Sequence, residues 1–204
     1  MAIHIAEQYL KREVIDDKEQ QELKDNCKTF FEKFVINILL ETGLRVDEFI
    51  RICTKNYMEM QRSNKDFNHQ DYNIIDWQSN HIIVYGKMPR QKKGEGLRKR
   101  RVVPLSSTCK NYLQKYFDIE ENTHIDYTIQ GIWTITKRIA RKADIKKNVS
   151  PHVLRHTFAV NYLNRGGDIA KLKQILGHAS LSTTGIYLTY TSKHLQKEFS
   201  DVMG

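Results

Sequence analysis

His152 and Arg155 stand three residues apart, directly after Ser150-Pro151. Serine then proline marks a helix N-cap followed by a first helical residue, so both side chains are expected on one face of a first helical turn. The unpaired N–H groups and the positive end of the helix dipole favour an anion there. Arginine offers a planar fork to two phosphate oxygens, and histidine can pass a proton near neutral pH. Taken alone, the pair also fits an ordinary exposed helix turn.

Further along, Leu176-Gly177 marks a helix end with His178 just beyond it, and Tyr187 follows nine residues later within Ser182-Thr183-Thr184-Gly185-Ile186-Tyr187. A tyrosine in a short helix is ordinarily a packing residue, and this chain has 10 tyrosines. Upstream, Thr42-Gly43-Leu44-Arg45 places an arginine between one helix and the next. Glu48, one turn on, can brace that guanidinium, or form a plain surface pair worth a few tenths of a kcal/mol. Lys87 follows the run HIIVY and Gly86, where a solvated turn lysine would also fit. Cys27, Cys53 and Cys109 are widely spaced and suit neither a disulfide framework nor a four-ligand zinc site. No acidic cluster suggests a two-metal centre, so neither metal nor cofactor is expected.

The elements that must position these residues are mostly helical, since only 3 prolines and 10 glycines punctuate the chain. Leu23, Cys27, Phe30, Phe31, Phe34, Ile38 and Leu39 recur at a helical period, which predicts one long helix from about Lys18 to Glu41, stopped by Gly43. A short helix from Val46 to about Cys53 follows. The polar stretch from Asn56 to Asn80 is expected mostly as loop. The β-branched runs His81 to Tyr85 and Lys99 to Leu105 flank a basic segment from Gly86 to Arg98, reading as a hairpin with a long charged tip. Helices are then expected from about Ser107 to Phe117, Ile129 to Ala143, Pro151 to Arg165 and Asp168 to Leu176. Ser182 and Ser192 can cap two more, the last a tail helix within 192–204 with Leu195, Phe199 and Val202 on one stripe. The expected fold class is mainly α with a small antiparallel β-sheet, in a single domain.

The charge balance, 33 Lys+Arg against 24 Asp+Glu for a net +9, favours a polyanion partner such as nucleic acid. A hydrophobic content of 40% argues against a disordered chain. No apolar run approaches the roughly 20 residues that cross a bilayer, and MAIHIAEQYLKREV has no secretory pattern. A reduced, cytoplasmic protein with no membrane partner is the expectation.

The order of the signals adds what each lacks alone: T-G-L-R-x-x-E, then strand-G-K, then H-x-x-R-H, then L-G-H, then a tyrosine nine residues later. In that order the chain resembles the catalytic domain of the tyrosine recombinases, the phage-integrase and Xer family. The resemblance runs from about Phe34 to Thr191 and is densest in SPHVLRHTFAVNYLNRGGDIAKLKQILGHASLSTTGIY. It implies the recombinase catalytic-domain fold and an enzyme that cleaves and rejoins DNA strands through a 3′-phosphotyrosine intermediate. By the same resemblance, Arg45 and Arg155 bind the scissile phosphate, with His152 and His178 beside them. Tyr187 matches the nucleophile, Lys87 the lysine that protonates the leaving oxygen, and Glu48 the acid that orders Arg45. His156 matches a structural neighbour.

The hairpin tip is longer than the family's short pattern, so Lys92, Lys93 and Lys99 rival Lys87, and Tyr190 rivals Tyr187. Duplex DNA is the implied partner, with Arg90, Lys92, Lys93, Arg98 and Lys99 as candidate DNA contacts and Lys137 and Arg141 as further ones. Only about 40 residues precede Thr42-Gly43, too few for the family's N-terminal core-binding clamp. Residues 1–204 are therefore expected to be a lone catalytic domain. Family members act as tetramers on synapsed DNA, and a monomer is compatible with the DNA-free chain. A non-catalytic DNA-binding module and a type IB topoisomerase are the alternative readings.

Overall fold

The structure, a computed structural model, describes residues 14–86, 98–119, 121–178, 180, 184, 185 and 187. Two helices replace the single one expected near the N-terminus: α1, Asp17–Asp25, and α2, Phe30–Thr42. Each opens with a capping box, Asp16 with Glu19 and Thr29 with Glu32, so the orphan N–H groups of both first turns are satisfied reciprocally. The apolar period runs unbroken through Cys27, which is buried between the two helices, and this continuity disguises the break.

Helix α2 is the centre of the molecule. Phe34, Val35, Ile36, Ile38 and Leu39 are all fully buried, the pattern of a helix covered on every side. Phe34 stacks on Tyr116 at 4.5 Å and tilts against Phe49 at 5.5 Å. Around α2 pack α5, Ser107–Gln114, which continues as a π-type turn over Lys115–Ile119, then α6, Ile129–Lys142, and α7, Pro151–Asn164. A one-turn helix α3, Val46–Phe49, and the helix α8, Ile169–Leu176, complete the frame around the site.

The sheet is larger than a hairpin and mixed. Its order is β1, Ile52–Cys53; β2, Asn73–Asp76; β3, His81–Tyr85; β4, Arg100–Pro104. Strands β2, β3 and β4 pair antiparallel, while β1 pairs parallel with β2. The stretch expected as loop therefore supplies an inner strand, together with a short helix α4, Lys55–Met60, and the 3₁₀ turn His69–Asp71. Alternation along β3 and β4 buries Ile82, Val84 and Val103 against the helices. The tip of the hairpin (87–97), the Ser182 cap, Tyr190 and the tail helix within 192–204 lie outside the described residues.

Candidate active site

Helix α2 ends at Gly43, whose φ of +60° is left-handed, and a Cβ there would sit 2.3 Å from the Phe158 ring. Glycine meets both demands. The chain turns at once into α3, and Arg45 occupies its N-cap. Glu48 reaches back, accepting the Arg45 backbone N–H at Oε2 (2.8 Å) and Arg45 Nη1 at Oε1 (3.0 Å). Unlike a surface pair, Glu48 is fully buried.

A second cation explains how a buried carboxylate stays charged. Arg101 comes in from β4 and donates Nη1 and Nη2 to the two oxygens of Glu48, each at 2.7 Å, while its Nε donates to the Ile175 carbonyl at 2.7 Å. Burial opposes ionisation of Glu48, but the Arg101 hydrogen bonds and the Arg101 and Arg45 charges outweigh it and bring its pKa down to about 2. Arg101 thus ties β4 to the Arg45 turn and to the end of α8. Alternation had the signal for it, because Arg101 shares a strand face with buried Val103.

Arg155 projects from α7 and is 5% exposed. It donates Nη1 to the Gly43 carbonyl (2.5 Å) and Nη2 to the Leu176 carbonyl (2.7 Å) and to His178 Nε2 (3.2 Å). Burial, then the Arg45 charge, lowers Arg155 to about 9, so it is cationic at neutral pH. A guanidinium only donates, so His178 Nε2 must accept and its proton resides on Nδ1, 3.0 Å from Thr184 Oγ1. Burial, then Arg155 and Arg45, bring the His178 pKa to about 4, which agrees with this neutral tautomer. Gly177, with φ +66°, closes α8 against the Arg101 side chain and delivers His178 to the same place.

Tyr187 is 1% exposed and packs among Val14, Ala159, Val160, Leu172 and Leu176. Its hydroxyl lies 2.8 Å from Nδ1 of His156. Burial, then His152 and Arg155, push His156 down to about 4. The histidine read as a structural neighbour is therefore the one in contact with the tyrosine. His152 is exposed in the first turn of α7, with its ring edge-on to Trp133 at 6.2 Å.

Arg45, Lys99, Arg100, Arg101, Lys173 and His178 line a cleft of about 1090 Å³ whose described walls hold no carboxylate side chain. Low-dielectric walls of one sign focus potential on an anion. Gly86 also lines the cleft; Lys87, Arg90, Lys92 and Lys93 lie outside the described residues. Arg98 is turned to the protein, bonded to the Gln70 carbonyl at 3.1 Å and paired with Asp71. Lys137 sits over the Trp133 ring, 5.7 Å from its centroid, and Arg141 is exposed. Among the described residues, no group of three or more His, Cys, Asp or Glu could hold a metal ion, and no helix is long and apolar enough to cross a membrane.

Comparison with known proteins bears on the family and the fold. A sequence model of the phage integrase family matches residues 13–194. Tyrosine recombinase XerD of Oceanobacillus iheyensis is 32% identical over 192 residues, covering 86% of this chain and 56% of the relative. The chain thus spans little more than half the length of that relative. The crystal structure of XerA recombinase superposes with a TM-score of 0.68 at 27% identity, covering 94% of this chain and 64% of that one. The Tn1549 transposon integrase, solved in complex with transposon right end DNA, shares the fold with a TM-score of 0.64 at 19% identity, covering 94% of this chain and 66% of that one. By its sequence match over nearly its whole length, the chain belongs to the phage integrase family.

Proposed function

We propose that residues 1–204 form the catalytic domain of a site-specific DNA recombinase of the integrase or Xer type. The observation that carries this reading is that Arg45 and His178 line one cationic cleft, with Arg155 bonded to His178 behind it, beside the turn that bears Tyr187. A relative named a tyrosine recombinase and a fold neighbour solved with transposon DNA support it.

In the proposed reaction the Tyr187 oxygen bonds to phosphorus and the bond to the 5′ oxygen breaks, leaving a 3′-phosphotyrosine and a free 5′-hydroxyl. The new linkage keeps the energy of the old one, so a second 5′-hydroxyl can reverse the step on another strand without ATP or metal. Charge builds on the non-bridging oxygens in the transition state. Arg45 and Arg155 supply donors there, and losing one such donor costs about 3–4 kcal/mol. Three of the five Arg155 N–H groups are held by protein acceptors, which fixes the fork and leaves two for phosphate. His178 gives its Nδ1–H to phosphate in exchange for Thr184, and His152 accepts the phenolic proton once Tyr187 leaves His156. Lys87 gives a proton to the 5′ oxygen. Arg90, Lys92, Lys93 and Lys99 contact the duplex, while Arg98 is committed to the protein. The functional assembly is a tetramer on synapsed DNA in the cytoplasm.

A duplex library from the source organism, nicked so that the short 5′-hydroxyl fragment is lost after cleavage, tests this reading. Wild type in EDTA is expected to accumulate protein-linked DNA at a shared sequence, and Tyr187→Phe none. Relaxation of supercoiled DNA without joined products would instead indicate a topoisomerase.

A further inference from the structure

Two buried amides and an arginine outside the cleft hold both feet of the segment that carries Lys87. At the first foot, the Tyr85 backbone N–H donates to Asn73 Oδ1 (3.0 Å), and the Tyr85 carbonyl accepts Arg51 Nη2 (2.8 Å). Asn73 is fully buried, and its Nδ2 donates to the Glu48 carbonyl at 2.6 Å. One carboxamide therefore bridges the turn that carries Arg45 to a residue two before Lys87. At the second foot, the Arg98 backbone N–H donates to Oε1 of Gln70 (2.8 Å), and Arg98 Nη1 donates to the Gln70 carbonyl (3.1 Å). Gln70 is 6% exposed. Arg51 joins the two feet, because its Nη1 also reaches the Gln70 carbonyl (3.2 Å) while its Nε holds the Asp47 carbonyl (2.9 Å). Between the feet, the Gly86 N–H donates to the Lys99 carbonyl at 3.1 Å.

Ladder bonds alone keep two strands paired. They do not set a hairpin relative to a separate helix, which is what Asn73, Gln70 and Arg51 do here. A proton donor must lie within hydrogen-bond reach of the leaving oxygen while the phosphate is gripped from the Arg45 side. We infer that Gln70, Asn73 and Arg51 are positioning residues that fix both ends of the segment bearing the proton-donating lysine relative to the phosphate-binding arginine, an inference that rests on the proposed role of Lys87.

The test separates proton delivery from general structure. A duplex carrying the trapped site is prepared with oxygen, or with sulfur, at the scissile 5′ bridging position; a thiolate leaves without a proton. Full-length wild type, Gln70→Met, Gln70→Glu, Lys87→Ala and Lys99→Ala are compared, and amide exchange at Arg98 is followed without DNA. Gln70→Met is expected to speed Arg98 exchange and to slow cleavage of the oxygen substrate by about 10–100-fold, against about 10²–10⁴-fold for Lys87→Ala, with both deficits nearly abolished by sulfur. Gln70→Glu keeps the oxygen acceptor and is expected to stay near wild type. Equal losses on oxygen and sulfur, an unchanged rate, or unchanged Arg98 exchange in Gln70→Met would each overturn the inference. Lys87→Ala unrescued by sulfur would instead sink the role of Lys87, and rescue of Lys99→Ala alone would move that role to Lys99, which the same foot at Arg98 precedes. Were wild type to cleave neither substrate, the recombinase reading would fail, and the exchange arm would still decide whether the anchor exists.

Discussion

The Tyr187 hydroxyl and His156 Nδ1 lie 2.8 Å apart behind an apolar wall. The phenol is thus stored inside the DNA-free protein, facing a histidine whose depressed pKa of about 4 keeps it neutral. A double-mutant cycle with Tyr187→Phe and His156→Leu is expected to give a coupling of about 0.5–1.5 kcal/mol in urea unfolding, the net worth of a buried neutral hydrogen bond. Strictly additive losses would mean the two groups do not interact in solution.

The buried histidines make stability depend on pH in a stated window. His156 and His178 both titrate near 4 in the folded chain against an ordinary 6.5. Between those values the unfolded chain binds protons that the native state refuses. Stability is therefore complete above about pH 6.5 and falls as pH drops toward 4, by about 1.4 kcal/mol per pH unit for each proton, less whatever solvent screening removes at these half-buried rings. A second decline, from Glu48, is expected as pH falls from 4.5 toward 2. Urea midpoints across pH 3–8 for wild type and His178→Asn check this; an equal slope in both proteins would contradict it.

Glu48 faces two arginines, but they are not equivalent. The Arg101 side chain is 8% exposed and the Arg45 side chain 25%. Glu48→Gln leaves Arg101 buried without its counter-charge and is expected to cost about 3–5 kcal/mol. Arg45→Met leaves the Arg101–Glu48 pair intact and is expected to cost about 1 kcal/mol or less. Equal losses in chemical denaturation would contradict the division of labour between the two arginines.

Much of this arrangement is legible in sequence where local chemistry decides it. Ser150-Pro151, Asp168 and the left-handed glycines at 43 and 177 bound their helices as their residue types require. The rest is decided by distant contacts. The two residues of β1 are too few to show a pattern, and their parallel partner lies across α4. Gln70 and Asn73 belong to a polar stretch that reads as solvated loop, because composition does not show which amides tertiary packing will bury. Thr29 and Glu32 did carry the signal that splits the first helix, but the unbroken apolar period overrode it.

Two glycines with positive φ separate strain from packing. A Cβ at Gly43 meets the Phe158 ring at 2.3 Å, whereas one at Gly166, φ +80°, meets nothing within 4 Å. Gly166→Ala is expected to cost about 1–2 kcal/mol for the left-handed backbone alone. Gly43→Ala should cost about 1–3 kcal/mol more through overpacking, and it also disturbs the carbonyl that holds Arg155. Equal thermal shifts for the two variants would show that Phe158 yields freely.

The most direct measurement is the identity of the residue that becomes attached to DNA. Adduct from a nicked duplex is digested with nuclease and protease, and the nucleotide-bearing peptide is sequenced by mass spectrometry. The expected product carries a 3′-linked deoxynucleotide on Tyr187, with a 5′-hydroxyl on the released strand. A nucleotide on Tyr190, or a 5′-linked adduct, would contradict the chemistry assigned to this site.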